Sequence, residues 1–518
     1  MKHIWSKIKN KFIHLDAVDW DIYLYGLSAV FAFLTVLAAV STDYRIWGVV
    51  AGFSYLAGLL GSLVIKFFLR KKTPPFYLGV ESSIDAASKN DGENSPSLGY
   101  EGSGSKETSL LESPSILDTS ILNKSFSISG STYSTDSHSQ SVPETAGHLS
   151  DRKVRFLRYF LLVFVLFTSL LAPLVTELIF SANADPGANA QPEVAVIERA
   201  GDRLMAGHDI YLKRPTSVGV SPHSDNKNID SSSYFPYLPS MAIFGLANAG
   251  NLPPEFGDAR LLLSIFTVAV VLYALKLLSV PGDSKVRILQ IFLILPTGAL
   301  PLVTGGDDLP VLALMLLGIV YSFRKEPVRA GLAIGLATTL KFTAWPLAFL
   351  LCFVIRGRGD KPSYIKFITA LSSVLIPVLL IAIAPSPESF IVNVIRFPLG
   401  LSKVSSPAAS PLLGQVLVSI FHGEKKAVTY MLLGIGILAV VLMFIKYRPK
   451  NVSEAARFAS FVMFLATVLA PATRFGYLIY PVNLFTWSLF LNNGGNHHIV
   501  ISEDESKSDQ SQLASFIS

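Results

Sequence analysis

The residues of this chain that could do chemistry lie within long apolar runs or in the segments between them. They are Glu193, Asp307, Asp308, Lys341, Arg396, Lys403 and Arg474. Ionisable groups at or near membrane depth are costly and read first as functional. A carboxylate that can accept a proton, set beside fixed cations, suits transfer from an anionic leaving group to a hydroxyl. The cations would offset charge developing on a departing phosphate. Each residue also has a plain structural reading. Glu193 would complement a helix dipole; Asp307 and Asp308 would cap a helix starting at Leu309. Lys341 would snorkel to the interface, and Arg474 would anchor there. Tyr234, Phe235 and Tyr237 would pack at the membrane surface rather than stack on a sugar.

The stretch that must position Glu193 is the polar segment 181–239, which lies between apolar runs. Near its start, QPEVAVIERAGDRLMAGHDIY (191–211) predicts a helix. Pro192 suits the opening position, where a missing N–H costs nothing. Ile197, Ala200, Gly201 and Leu204 then recur at helical spacing, opposite Glu198, Arg199, Asp202 and Arg203. Gly207 ends it.

Composition sets the class. The chain has 518 residues, 51% hydrophobic and 15% charged, with a mean hydropathy of +0.48. Several runs reach the roughly 20 residues that cross a hydrocarbon core. They are continuous rather than alternating, which excludes a closed barrel. The expected fold is therefore an all-α polytopic membrane protein. The net charge of +6 sits at residues flanking the runs, where it reports orientation, not nucleic-acid binding. The single cysteine, Cys352, excludes an intramolecular disulfide framework. No cleavable signal peptide is expected, since the first apolar run is long enough to span. No metal-ligand spacing, phosphate-cradling glycine loop or nucleophile elbow occurs.

Taken in order, residues 1–72 hold a basic cytoplasmic start and a two-helix hairpin (21–41 and 47–68). Residues 73–150 turn to Ser, Thr, Gly, Asn and Asp, and read as a disordered cytoplasmic insert. Spans are then predicted at 156–180, 260–280, 288–303, 309–323, 364–384, 429–445, 455–470 and 476–491. Residues 241–249 are too short to cross and are expected along the outer interface. Between the basic loops flanking 329–356, charge bias predicts two half-length helices meeting near Lys341. The count is about twelve helices, with external segments 181–258 and 385–414, and a disordered cytoplasmic tail after 492. Every candidate residue then faces the side away from the cytosol.

At these residues the sequence resembles a known group. QPEVAVIERAGDRLMAGHDIY followed by YFPYLPSMAIFGL resembles the first external loop of polyprenol-phosphate-sugar-dependent, GT-C type glycosyltransferases, glycosyltransferase family 87 above all. That family includes phosphatidylinositol-mannoside mannosyltransferases. GGDDLPVLALMLLG, AGLAIGLATTLKFTAWP, RFPLGLSKVSSPAASPLLG and APATRFGYLIYP look like actinobacterial members. The resemblance covers about 151–491. It implies a GT-C-like bundle of about ten helices plus the extra N-terminal hairpin. It also implies an inverting enzyme that moves a sugar, mannose by resemblance, to an envelope glycolipid or glycan hydroxyl.

By register the catalytic acid falls on Glu193, with Glu198 or Asp185 as alternatives. Glu stands where the family usually has Asp, and Ile197 stands where it has an aromatic residue. The resemblance places Lys341, Arg396 and Arg474 near the lipid phosphate. Tyr211, Tyr234, Tyr237, Asp307, Asp308, Lys403 and Tyr477 are the expected substrate-binding residues. The expected partners are membrane lipids, a polyprenyl-phosphate sugar donor and a glycolipid or polysaccharide acceptor. No nucleic acid, cofactor or obligatory metal is expected. The expected location is the plasma membrane, with the active site extracytoplasmic. Two other readings keep the same helices: a lipid or sugar transporter (flippase), and a non-catalytic scaffold recruiting partners through 73–150.

Overall fold

A computed structural model describes residues 15–38, 42–70, 151–183, 190–211, 233–250, 252–402, 404, 406 and 408–492. The serine-rich insert 73–150, the tail after 492, Asp185 and Lys403 lie outside the described residues. The chain divides into two units, 1–66 with 153–518, and 67–152.

The described residues are helical, with one isolated parallel bridge, Ala409 to Thr473. The N-terminal pair is α1 (Ala17–Ala38) and α2 (Thr42–Arg70). Next come α3 (Asp151–Leu166) and α4 (Ala172–Asn183), joined by a π-helical turn, Phe167–Leu171. The loop helix α5 (Pro192–Met205) precedes a 3-10 stretch, Pro239–Gly245. The remaining α-helices of nine or more residues are α6 (Ala259–Leu277), α7 (Gly282–Leu293), α8 (Pro296–Thr304), α9 (Asp308–Phe323), α10 (Pro327–Leu340), α11 (Trp345–Gly357), α12 (Lys361–Ile383), α13 (Lys425–Lys446), α14 (Val452–Leu469) and α15 (Ile479–Asn492).

Among the described residues, seven helices are long and apolar enough to cross a membrane, or eight if the bent pair α7–α8 is one span. This is a multi-pass membrane protein. The rest of the expected twelve are shorter apolar helices, α9, α10, 342–357 and 475–491.

At the centre stands α9, with thirteen of its sixteen residues buried. A helix apolar on all sides must be enclosed by others, and α6 and α10 flank it. Its N-terminal end carries Asp307 and Asp308. The helix break predicted near Lys341 is present. Lys341 leaves α10 in an extended conformation, φ −156° and ψ 146°. A 3-10 turn, Phe342–Ala344, follows, and Pro346 sits in the first turn of α11, where proline is tolerated. The freed end of α10 is satisfied: Leu340 O accepts the Leu238 N–H at 3.1 Å, and Thr338 O accepts the Trp345 indole N–H at 3.0 Å.

One expectation is corrected here. The run 288–303 is not one straight helix: α7 and α8 meet at 57°, because Pro296 has no N–H to continue the ladder. Within residues 241–249, Met241, Ala242, Phe244 and Gly245 are buried against the rest of the protein. Pro239–Gly245 packs on α5, and the contact is backbone against backbone. A Cβ on Gly201 would sit 2.2 Å from the Gly245 carbonyl carbon, and one on Gly245 would sit 2.1 Å from Ile197 O. Only glycine permits that approach.

Candidate active site

Helix α5 starts as expected. Pro192 opens it, Gln191 is the residue before, and Glu193 stands in the first turn. Val194, Val196, Ile197, Ala200 and Gly201 are buried. Leu204, expected on that face, is exposed instead, because the helix ends one residue later. The start is latched to the end of α8. The Gln191 N–H donates to Thr304 O, and its side-chain amide donates to Thr304 Oγ1, both at 2.9 Å. Beyond Thr304 the chain turns through Gly305 at φ +89°, where a Cβ would meet Val194 and Arg260. That turn delivers Asp307 and Asp308 beside Glu193.

A cavity of about 100 Å3 opens there, lined among others by Glu193, Tyr237, Asp307, Asp308, Arg474 and Tyr477. Glu193 Oε1 pairs with the Arg474 guanidinium at 2.5 Å, while Glu193 Oε2 is buried and accepts no hydrogen bond among the described residues. Burial pushes the Glu193 carboxyl above its ordinary value; Arg474 opposes that rise and nearby Asp307 adds to it. Arg474 is held by backbone. Ser410 N donates to Thr473 O and Thr473 N to Ala408 O, both at 2.9 Å. The Ser410 hydroxyl accepts the Phe475 N–H at 3.1 Å. Segment 385–414 thus reaches the site through the main chain.

Lys341 pairs with Asp307 at 2.7 Å and with Asp308. Its ammonium lies 5.4 Å from the ring centroids of both Tyr237 and Tyr477. It therefore does not snorkel. Asp307 occupies the position before α9 but makes no capping bond through its side chain.

The structure thus brings together Glu193, Asp307, Asp308, Lys341, Arg474, Tyr237 and Tyr477. It does not bring Arg396 in: that residue ends a π-helical segment, Ile391–Arg396, is exposed, and does not line the cavity. The buried residues of that segment are Asn393 and Val394, and the Asn393 side chain accepts the Phe235 N–H at 2.9 Å.

Tyr211 is buried under the site, its hydroxyl donating to Tyr237 O at 2.9 Å. Tyr234 stacks on Phe397, centroids 4.3 Å apart, and lines a separate groove with Arg199 and Arg203. Glu198 faces away from the cavity and accepts the Ala259 N–H at the start of α6, at 3.0 Å. Burial pushes its carboxyl up to about 7.

Sequence reading missed Tyr480 and Thr343. The Tyr480 hydroxyl donates to Asp308 Oδ1, and the Thr343 hydroxyl donates to Tyr480 Oη, both at 2.7 Å. Both lie in the quoted blocks, but their partners are distant in sequence. Among the described residues no group of His, Cys, Asp and Glu could hold a metal ion.

A multi-pass helical protein with a buried acid–cation cavity is the class that the fold and site define. Residues 235–471 match the model of Glycosyltransferase family 87. The match holds Asp307, Asp308 and Lys341; Glu193 and Arg474 flank it. No curated protein matches. Among solved structures, ArnT from Cupriavidus metallidurans bound to undecaprenyl phosphate is similar at 12% identity and a TM-score of 0.37. The alignment covers 67% of this chain and 63% of that one, so the chain spans under two thirds of ArnT's length.

Proposed function

We propose that this protein is an inverting membrane glycosyltransferase. It takes a sugar, mannose in our reading, from a polyprenyl-phosphate donor and places it on an envelope glycolipid or glycan hydroxyl. The reaction runs at the outer face of the plasma membrane. Glu193 Oε2, buried and unpartnered, takes the proton from the acceptor hydroxyl. The acceptor oxygen then bonds to the anomeric carbon while the bond from that carbon to the phosphate oxygen breaks. The electron pair leaves with the phosphate, and the Arg474 guanidinium offsets its charge. One displacement inverts the anomeric centre.

The observation that carries this reading is Glu193, a wall residue of the cavity, paired with Arg474 at 2.5 Å while its second oxygen is buried with no hydrogen-bond partner among the described residues. The match of residues 235–471 to a glycosyltransferase family model supports it. The test is sugar transfer by purified protein from a polyprenyl-phosphate sugar to a lipid acceptor. Glu193→Gln should lower kcat by about a hundred-fold or more, within the range of a lost general base. Undiminished turnover would remove Glu193 from the role. The broken helix at Lys341 also suits a transporter. Movement of labelled lipid across liposomes with no acceptor present would favour that reading.

A further inference from the structure

We infer that Lys341 is a positioning residue for the Asp307 carboxylate, with Asp308 as its charge partner, and does not hold the leaving phosphate. This rests on reading the cavity as the transfer site. The Lys341 side chain is 12% exposed and its ammonium donates to Asp307 Oδ2 and to Asp308. The tyrosine rings 237 and 477 flank the same ammonium. An ammonium has three donors; here two carboxylates take it and two tyrosine rings flank it. Lys341 does not line the cavity, whereas both aspartates do.

The two carboxylates are held unequally. Asp308 takes bonds from Lys341 and from Tyr480, which Thr343 steadies in turn. Asp307 takes Lys341 on Oδ2 alone, and among the described residues no donor reaches its Oδ1. Asp308 and Lys341 therefore form the fixed pair, and Asp307 Oδ1 is the acceptor turned toward a hydroxyl-bearing ligand. The ligand chemistry that fits is a sugar ring offering hydroxyl donors. Arg474 is left as the cavity-lining cation for an anionic group.

The test compares wild type with Lys341→Met, Asp308→Asn and the double variant, measuring sugar transfer and product inhibition by a polyprenyl phosphate. Lys341→Met leaves two adjacent buried carboxylates unbalanced, so kcat/KM should fall about a hundred-fold. The inhibition constant for polyprenyl phosphate should stay within about three-fold, as where no contact is lost. Asp308→Asn in the Lys341→Met background removes the excess charge and keeps an acceptor for Tyr480. It should recover about ten-fold of the loss, the size expected of a coupled pair. A weakening of polyprenyl phosphate inhibition by about ten-fold or more in Lys341→Met, with no recovery in the double variant, would overturn the inference.

Should Lys341→Met fail to fold, Tyr480→Phe loosens the same carboxylate and should lower kcat without moving the inhibition constant; a shift in that constant instead would count against the inference. If the wild type transfers no sugar, the proposed function fails by itself. Direct binding of polyprenyl phosphate to wild type and Lys341→Met then decides the inference: equal binding sustains it, and loss in the variant ends it.

Discussion

At Glu193 two effects oppose one another. Burial raises the carboxyl's affinity for a proton, and Arg474 lowers it. Burial prevails, so the base requires a higher pH to ionise than an ordinary glutamate. The acid limb of the kcat/KM–pH profile is expected above 4.5. Arg474→Met should move it further up, since the opposing cation is gone. A limb at or below 4.5 would mean that another group sets it.

Glu198 gives a stability test of the same kind. Its folded value, about 7, lies above the ordinary 4.5, so the folded state binds the proton more tightly. Its contribution to stability is then fully present below 4.5 and lost as pH rises through 7. Glu198→Gln, which can still accept the Ala259 N–H, should flatten that part of the dependence of Tm on pH. Thermal unfolding in detergent between pH 5 and pH 8 checks this.

Among elements, α5 and the Pro239–Gly245 stretch depend on one glycine pair. Gly201→Ala forces a Cβ into the facing backbone, with no flexible side chain to yield. It should cost about 1–3 kcal/mol in stability, as overpacking does. It should also displace Glu193, lowering kcat more than it changes the KM for donor. Measurement of both constants beside Tm separates the two effects.

Much of this level was legible in the sequence. Pro192 and Gly207 bounded α5, and charge bias on the flanking loops placed the break at Lys341. The bend between α7 and α8 was not seen, because an apolar run hides a proline-directed turn. Nor could spacing tell that 239–245 is buried against α5, since the glycine approach joins residues far apart in the chain. Site residues separated in the same way. Glu193, Asp307, Asp308, Lys341 and Arg474 stood out as charges among apolar neighbours. Tyr480 and Thr343 did not, because their roles come from partners contributed by other helices.

Over the whole molecule, the N-terminal pair is fastened to the helices that follow. Arg158 on α3 is buried and paired with Asp21 of α1 at 2.6 Å and Asp283 of α7 at 2.7 Å. Gln290 of α7 donates to Asp21 Oδ1 at 2.8 Å and accepts from the Trp20 indole at 2.9 Å. Asp21→Ala would leave the buried guanidinium with only the half-exposed Asp283 as its carboxylate partner among the described residues, with an expected loss of about 3 kcal/mol. A Tm unchanged by this substitution would mean that the network is not what fastens α1.

The bridge between Ala409 and Thr473 has a consequence for how this sequence can drift. Its rungs are main-chain groups and Ala409 is exposed, so many residue types are tolerated at that position. A one-residue deletion there would shift Ser410 off its rung with Thr473 and carry Arg474 away from Glu193. Length, more than identity, is what selection must guard in this stretch.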